Sequence, residues 1–183
     1  VDDYVPSLGT MADEFDIMRE YQNTLTGKRI LWYVCCGPAY PNTFLRSRLI
    51  ESYFIGILTS YLELDGFLRW AYTVWNDDPR TDIRYGNWAA GDTNFVYPST
   101  GGEPLLTLRY KALKRGIQFY ELLERLRMSG DAEGLTNAFA MVGREKDVRE
   151  YYRTYHSLES LCSLDYADYL GLKRFLLEKL SGK

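Results

Sequence analysis

Residues 65–97 read DGFLRWAYTVWNDDPRTDIRYGNWAAGDTNFVY and are closed by Pro98. The first part, residues 66–74, is dense in aromatic and β-branched side chains and predicts a buried strand. From Trp75 the run becomes a loop carrying Asn76, Asp77, Asp78, Arg84, Tyr85, Trp88 and Asp92. Residues 95–97 return to apolar character and predict a short strand, which Pro98 stops. Three of the four tryptophans lie in this stretch. A loop this long and aromatic, hung on a buried strand, is a place for function more than for connection. Flat aromatic faces beside Asp, Asn and Arg suit a pyranose, which has an apolar face and a hydroxyl rim. The competing reading is that the tryptophans only pack the loop down.

Outward from this stretch, strands alternate with helices. Residues 4–8 predict a short strand ended by Gly9, after which Thr10 caps a helix with Asp13 and Glu14 in its first turn. Phe15, Met18, Tyr21, Gln22 and Leu25 recur at helical spacing, and Gly27 ends that helix. Residues 29–36 are nearly continuous in apolar side chains, as a strand buried on both faces should be. Gly37-Pro38 breaks it, and residues 45–64 predict a helix with Leu49, Tyr53, Ile57, Leu58 and Leu62 on one side. Beyond the long loop, residues 104–127 predict an amphipathic helix. Its inward side carries Leu108, Ala112, Leu113, Gly116, Ile117, Tyr120, Leu123 and Leu126. After Ser129-Gly130 only helices remain, over 135–142, 145–161 and 166–180. Tyr151, Tyr152, Tyr155 and Tyr166 serve there as interfacial packing. The order predicts an α/β unit of parallel strands and crossover helices over residues 1–130, with loop 75–97, and an all-helical extension over 131–183.

Composition bounds the function. The chain has 183 residues, 46% of them hydrophobic, with a formal charge of −3. That is enough to bury one sizeable core. No basic stripe suits a nucleic acid, and no apolar run is long enough to span a bilayer. The cysteines are Cys35, Cys36 and Cys162, an odd count with two adjacent, which is neither a disulfide framework nor a metal site. A small redox protein using Cys35 and Cys36 is disfavoured, because neighbours on a strand face opposite sides. His156 is the only histidine and sits in a polar stretch, a poor setting for a catalytic base. The opening VDDYVPSLGT has no initiator methionine and no signal peptide, and suggests a piece of a longer protein. The compartment of such a parent is left open, an exported or cell-surface location included.

More specific patterns then appear in register. Residues 33–38 with Pro41-Asn42-Thr43-Phe44 resemble the strand-end element YxxCGPxxPNTF, and residues 65–72 with Trp75 resemble GFLRWAYNxW. Residues 82–85, Trp88 and residues 90–98 resemble DxRFxxWPAGDTxxVYP. Leu108-Arg109, residues 116–118 and Tyr120-Glu121 resemble SxRxExLxxGIQDYE. Over residues 1–127 the chain therefore resembles the domain of unknown function 4091, the C-terminal part of a glycoside hydrolase family 123 type of catalytic barrel. Among the departures from the pattern are Thr73 for Asn, Ala89 for Pro and Phe119 for Asp. Phe119 reads as an outer packing change.

The resemblance implies a (β/α)8 barrel of the TIM type, of which this chain is a C-terminal segment with an added helical tail. It implies cleavage of β-linked N-acetylgalactosamine, assisted by the sugar's own 2-acetamido group. In that mechanism an adjacent Asp polarises the acetamido group and a Glu protonates the leaving oxygen. The pair lies on an earlier strand, so no catalytic residue is expected here, and neither Asp2-Asp3 nor Asp77-Asp78 replaces it. The expected substrate-binding residues are Tyr33, Cys36, Arg69, Trp70, Tyr72, Trp75, Trp88 and Asp92, because ligands of such barrels sit at the strand C-termini. Arg69, inside an apolar strand, needs a partner, and Asp92 is the candidate. No cofactor and no metal are implied; the partner is an amino-sugar glycan, with no nucleic acid and no membrane. The alternative function is a non-catalytic carbohydrate-binding or structural module derived from the barrel. Three or four strands cannot close a barrel of about eight, so the sheet should associate. Either two copies dimerise through open edges, or the tail folds over barrel-facing Trp32, Val34, Leu68 and Trp70.

Overall fold

The computed structural model describes residues 3–24, 26–144, 147 and 157–182. Strands β1 (Asp3–Tyr4), β2 (Arg29–Tyr33) and β3 (Gly66–Leu68) lie side by side in that order, all parallel. Helices α1 (Leu8–Asp13) and α2 (Phe15–Thr24) join β1 to β2, and α3 (Leu49–Tyr61) joins β2 to β3. The alternation expected from the sequence is therefore present. The register sets Tyr4 against Ile30, Trp32 against Phe67 and Tyr33 against Leu68. Asp65 ties the entry of β3 to β2: its N–H donates to Ile30 O and its Oδ2 accepts the Ile30 N–H.

Several boundaries differ from expectation for identifiable reasons. Ser7, not Thr10, caps α1, its hydroxyl accepting the Thr10 N–H. The helix is also broken at Glu14, so Asp13 and Glu14 stand at the α1–α2 junction and not in a first turn. Leu8 is the first residue of α1 and not the end of a strand. β2 stops at Tyr33 and alternates in burial: Ile30 and Trp32 are fully buried, Leu31 and Tyr33 only partly. β3 stops at Leu68 and does not run to Val74.

The side-chain parity also corrects an expectation. Trp32 and Val34 point into the helix-covered core, where the Trp32 indole donates to Thr59 Oγ1 at 2.9 Å and its ring meets Phe67 edge-on. Leu68 and Trp70 lie on the other, open side, 38% and 39% exposed. Since residues opposite one another in register share a face, Tyr33 belongs to that open side with Leu68.

Strand β4 (Val96–Tyr97) pairs antiparallel with β5 (Leu105–Leu106), which the sequence had assigned to the following helix. That helix, α4 (Leu108–Met128), begins after the Thr107 cap. It carries Leu108 and Ile117 outward, and Leu49 of α3 is likewise exposed. α4 packs closely on α3 at two glycines. A Cβ on Gly56 would stand 1.9 Å from Gly116 O, and one on Gly116 would stand 2.3 Å from Ser52 O.

The tail contributes α5 (Ala132–Val142), α6 (Leu158–Leu161) and α7 (Tyr166–Ser181). Among the described residues it does not cover Trp70, which stays 39% exposed. Its helices pack on the outer helical layer, with Phe139 edge-on to Tyr61 and both Tyr166 and Tyr169 edge-on to Tyr53. Phe119 is not an outer residue: it is buried beside Tyr53 and Tyr169, between α4 and the tail. One hydrophobic cluster runs from Leu8 and Trp32 to Leu172 and Leu176. Tyr151, Tyr152, Tyr155 and His156 lie outside the described residues, as does most of the helix expected over 145–161. No helix among the described residues is long and apolar enough to cross a membrane.

Candidate functional site

The site is assembled where β2 and β3 end. After Val34 the chain folds into loop 35–44, with cis peptide bonds at Gly37-Pro38 and Tyr40-Pro41. Asn42, fully buried, holds this loop in shape. Its amide donates to Cys35 O at 2.8 Å and to Pro38 O at 2.9 Å, and its Oδ1 accepts the Thr43 N–H. Glu51, in the first turn of α3 and 1% exposed, accepts the N–H groups of Asn42 and Arg48, each at 2.8 Å. The pair fixes the strand-end loop to the helix that follows it.

Burial raises the Glu51 pKa above the usual value for a glutamate, and the N–H groups only partly offset this. Between the unfolded and the folded pKa the native state therefore binds more protons than the unfolded one. Stability should fall as pH rises through that window, and the loss should be absent in Glu51→Gln. Thermal melts of both proteins from mildly acidic to neutral pH check this, and parallel curves would refute it.

Beneath the long loop are two buried arginines. Arg69 pairs with Asp92, as expected: Nη2 donates to Oδ1 and, at 2.7 Å, to the Asp92 carbonyl, while Nη1 donates to Val34 O at 2.5 Å. Their side chains are 6% and 0% exposed. Burial depresses the Arg69 pKa and Asp92 counters it. Arg109 of α4 uses carbonyls instead: Nη1 donates to Thr43 O and Gly91 O, and Nη2 to Asn94 O. Both guanidinium groups lie within about 6 Å of the Phe95 ring, at 6.0 and 5.4 Å. Gly91 is required here, since its φ is +81° and a Cβ would stand 2.9 Å from the Arg109 guanidinium. Strand-end loop, long loop and α4 are thus stapled together by two cations.

Above this frame lies the aromatic surface. Trp70 and Trp88 pair with ring centroids 4.7 Å apart, and both are about 40% exposed (39% and 41%). Tyr72, also exposed, stacks on Phe95 at 6.2 Å and meets Tyr110 edge-on. Trp75 is half-buried and its indole donates to Val96 O at 2.8 Å. Asn76 holds the loop through Asp82 O and Arg84 O. The stretch expected as strand after Leu68 instead pairs locally with the returning chain: Val74 N–H bonds Thr93 O and Phe95 N–H bonds Tyr72 O. The loop is therefore closed at its base. Asp82 and Arg84 pair on its outer side, where the guanidinium holds the Asp82 pKa down at about 2.

Cys35 and Cys36 correct another expectation. Because β2 has already ended, they do not face opposite sides; their sulfurs are 3.6 Å apart, and Cys36 is exposed. Of the adjacent carboxylates, Asp77-Asp78 lies in the loop, while Asp2 is outside the described residues. The chain also holds one Asp-Glu dipeptide, Asp13-Glu14, exposed at the α1–α2 junction and not at a strand end. No cluster of His, Cys, Asp and Glu fit to hold a metal ion occurs among the described residues. An apolar cavity of about 570 Å3, lined by Phe54, Leu58, Tyr61, Phe139 and Leu161 among others, lies on the helical side, away from the strand ends. The sequence reading missed the roles of Asn42, Glu51 and Arg109. Arg109 had a signal: a charged residue followed three positions later by Ala112 on the buried side of an amphipathic helix.

Comparison with known proteins then bears on this site. Residues 1–126 match the family described as glycoside hydrolase 123, catalytic domain. Among solved structures, the chain is similar to a family 123 glycoside hydrolase from Clostridium perfringens, studied for glycolipid glycan hydrolysis. The TM-score is 0.70 at 22% identity, and the match covers 99% of this chain. It covers 34% of the other, so this chain spans about a third of the length of that relative. No curated protein sequence matches.

Proposed function

Because the chain belongs to the glycoside hydrolase 123 catalytic-domain family, we propose that it is the C-terminal part of a glycosidase catalytic domain and lines one side of its sugar site. The observation that carries this reading is the exposed Trp70–Trp88 pair, set at the end of β3 on the buried Arg69–Asp92 frame. In this reading the two indole faces cover the apolar face of an amino-sugar, and the polar rim near Tyr33, Cys36 and Tyr72 meets its hydroxyl and acetamido groups. Trp75 and Asp92 hold the loop that carries Trp88. The finer resemblance, to the domain of unknown function 4091 and to enzymes acting on β-linked N-acetylgalactosamine, makes this a β-N-acetylhexosaminidase-like site.

The sheet is then a sector of a (β/α)8 barrel. Its open face, with Leu68 and Trp70, looks toward the barrel interior, and α3 and α4 form the outer layer. The remaining strands would come from the rest of a longer parent, or a second copy would cover the open edges at β1 and β3. The Asp-Glu pair that orients the acetamido group and protonates the leaving oxygen belongs to an earlier strand. This chain binds and shapes the substrate; it does not supply the acid.

The test is turnover of an aryl β-N-acetylgalactosaminide by the isolated chain. The expected rate equals that of its Trp70→Ala variant. Release of the aryl alcohol well above that control would overturn the division of labour. A chain carrying the upstream strands should turn the substrate over, and there Trp70→Ala and Trp88→Ala should each lower kcat/KM by about tenfold or more, a loss of 1.4 kcal/mol in binding the transition state.

A further inference from the structure

Beyond the place given to Cys36 on the polar rim of the sugar surface, the pairing of the adjacent Cys35 and Cys36 thiols has no part in the reading above. Three observations concern them. Their sulfurs lie 3.6 Å apart, on the turn that follows β2, where the Cys35 N–H points to Gly37 O. The backbone on either side is held: Val34 O accepts from Arg69, and Cys35 O and Pro38 O accept from the buried Asn42 amide. Cys36 is exposed, so a reagent in solution reaches it. We propose that Cys35 and Cys36 form a dithiol site that a low-molecular-weight disulfide oxidises reversibly to a disulfide between neighbours.

The chemistry balances as two exchanges. The Cys36 thiolate attacks one sulfur of the small disulfide RSSR; the new S–S bond forms as the old one breaks, and RS⁻ leaves and is protonated. The Cys35 thiolate then attacks the Cys36 sulfur of this mixed disulfide and expels the second RS⁻. Two protein thiols are oxidised, and RSSR is reduced to two thiols. The second step brings the sulfurs from 3.6 Å to a bond of about 2.05 Å and closes a ring through the Cys35–Cys36 peptide bond. A ring closed between chain neighbours is strained, which makes it readily reduced again.

The hydrogen bond with the neighbouring thiol, with burial adding to it, holds the Cys36 pKa above its ordinary value. Cys162 does not compete: it is fully buried and burial pushes its pKa up to about 12. The site lies beside the sugar-contacting surface but does not depend on that reading, since it concerns only the two thiols and the turn that holds them.

The experiment is oxidation of the intact reduced chain with glutathione disulfide, followed by intact mass and peptide mapping. The expected product has lost the mass of two hydrogen atoms and carries no glutathione. One tryptic peptide contains Cys35 linked to Cys36, Cys162 stays a free thiol, and dithiothreitol restores the starting mass. Cys35→Ser should stop at one stable glutathione adduct on Cys36, because the resolving thiol is gone. A stable adduct on Cys36 of the unsubstituted chain, a disulfide between two chains, or no change in mass would each overturn the proposal. The readout on the unsubstituted chain decides the matter even where the variant fails to fold.

Discussion

Replacing Arg69 with methionine should lower the stability of the fold by about 3–5 kcal/mol, the cost of leaving one partner of a buried ion pair alone. In a chain of this size each kcal/mol shifts Tm by about 2–4 °C, so the melt should move down by roughly 10 °C. The substitution removes the donors to Val34 O, to the Asp92 carbonyl and to Asp92 Oδ1. It strands a carboxylate whose side chain is 0% exposed and whose Oδ2 accepts no hydrogen bond among the described residues. The loss belongs to the unpaired charge and not to the pair as such. Arg69→Met combined with Asp92→Leu should therefore recover most of it, because apolar residues of similar size often replace a buried pair at little cost. Equal melting temperatures for the single and double variants would contradict this account of the frame.

The second large effect is expected at the crossing of α3 and α4. Gly56→Ala would drive a methyl group to within 1.9 Å of the Gly116 carbonyl oxygen, and backbone cannot rotate out of the way as a side chain can. The helices must separate, opening the layer that covers Trp32 and Phe119. Overpacking of this kind costs about 1–3 kcal/mol where side chains yield; here about 3 kcal/mol or more is expected, even though alanine is the better helix former by about 1 kcal/mol. The same substitution at Gly171 of α7 is the control, since a Cβ there meets only the flexible end of Met141, at 3.3 Å. Denaturant unfolding should show a large loss at Gly56 and little at Gly171. Similar losses at both would mean that the α3–α4 approach is not the constraint.

Much of this arrangement was legible in the residues. Hydrophobic periodicity gave the alternation of strands and helices, and an arginine inside an apolar run gave both its burial and its partner Asp92. What escaped has physical causes. Ser7 and Thr10 are both hydroxyl residues able to cap, and the choice between them depends on where the backbone leaves the extended conformation. The apolar run after Leu68 looks like a strand because its aromatic residues are also what an exposed surface at a strand end requires. There Trp70 and Tyr72 serve the open side, and the backbone is satisfied by Thr93 and Phe95, about twenty residues away in the chain. The side chosen by Trp32 could not be read from a nearly continuous apolar strand, whose two faces look alike in sequence. Phe119 reads as external because the family pattern places a charge there, whereas the tail supplies an apolar neighbour in Tyr169. Asn42 and Glu51 carry no signal beyond being polar; their importance comes from a turn that only the folded chain displays.

The central claim, that the exposed aromatic pair at the end of β3 is a sugar-contacting surface, is tested most directly by the indole signals of the four tryptophans. Trp32 is buried with its N–H on Thr59, so it acts as the internal reference, whereas the Trp75 N–H is held by Val96 O in the loop that carries Trp88. On titration of the intact chain with N-acetylgalactosamine, followed by nitrogen–proton correlation spectra, the signals of Trp70 and Trp88 should move together. The single saturating curve should have a dissociation constant on the order of 1 mM, equivalent to about 4 kcal/mol. Trp32 should stay in place, and Trp70→Ala should abolish the shift of Trp88. Saturating shifts confined to the tail helices, or no shift of Trp70 and Trp88 at concentrations well above that constant, would contradict the account.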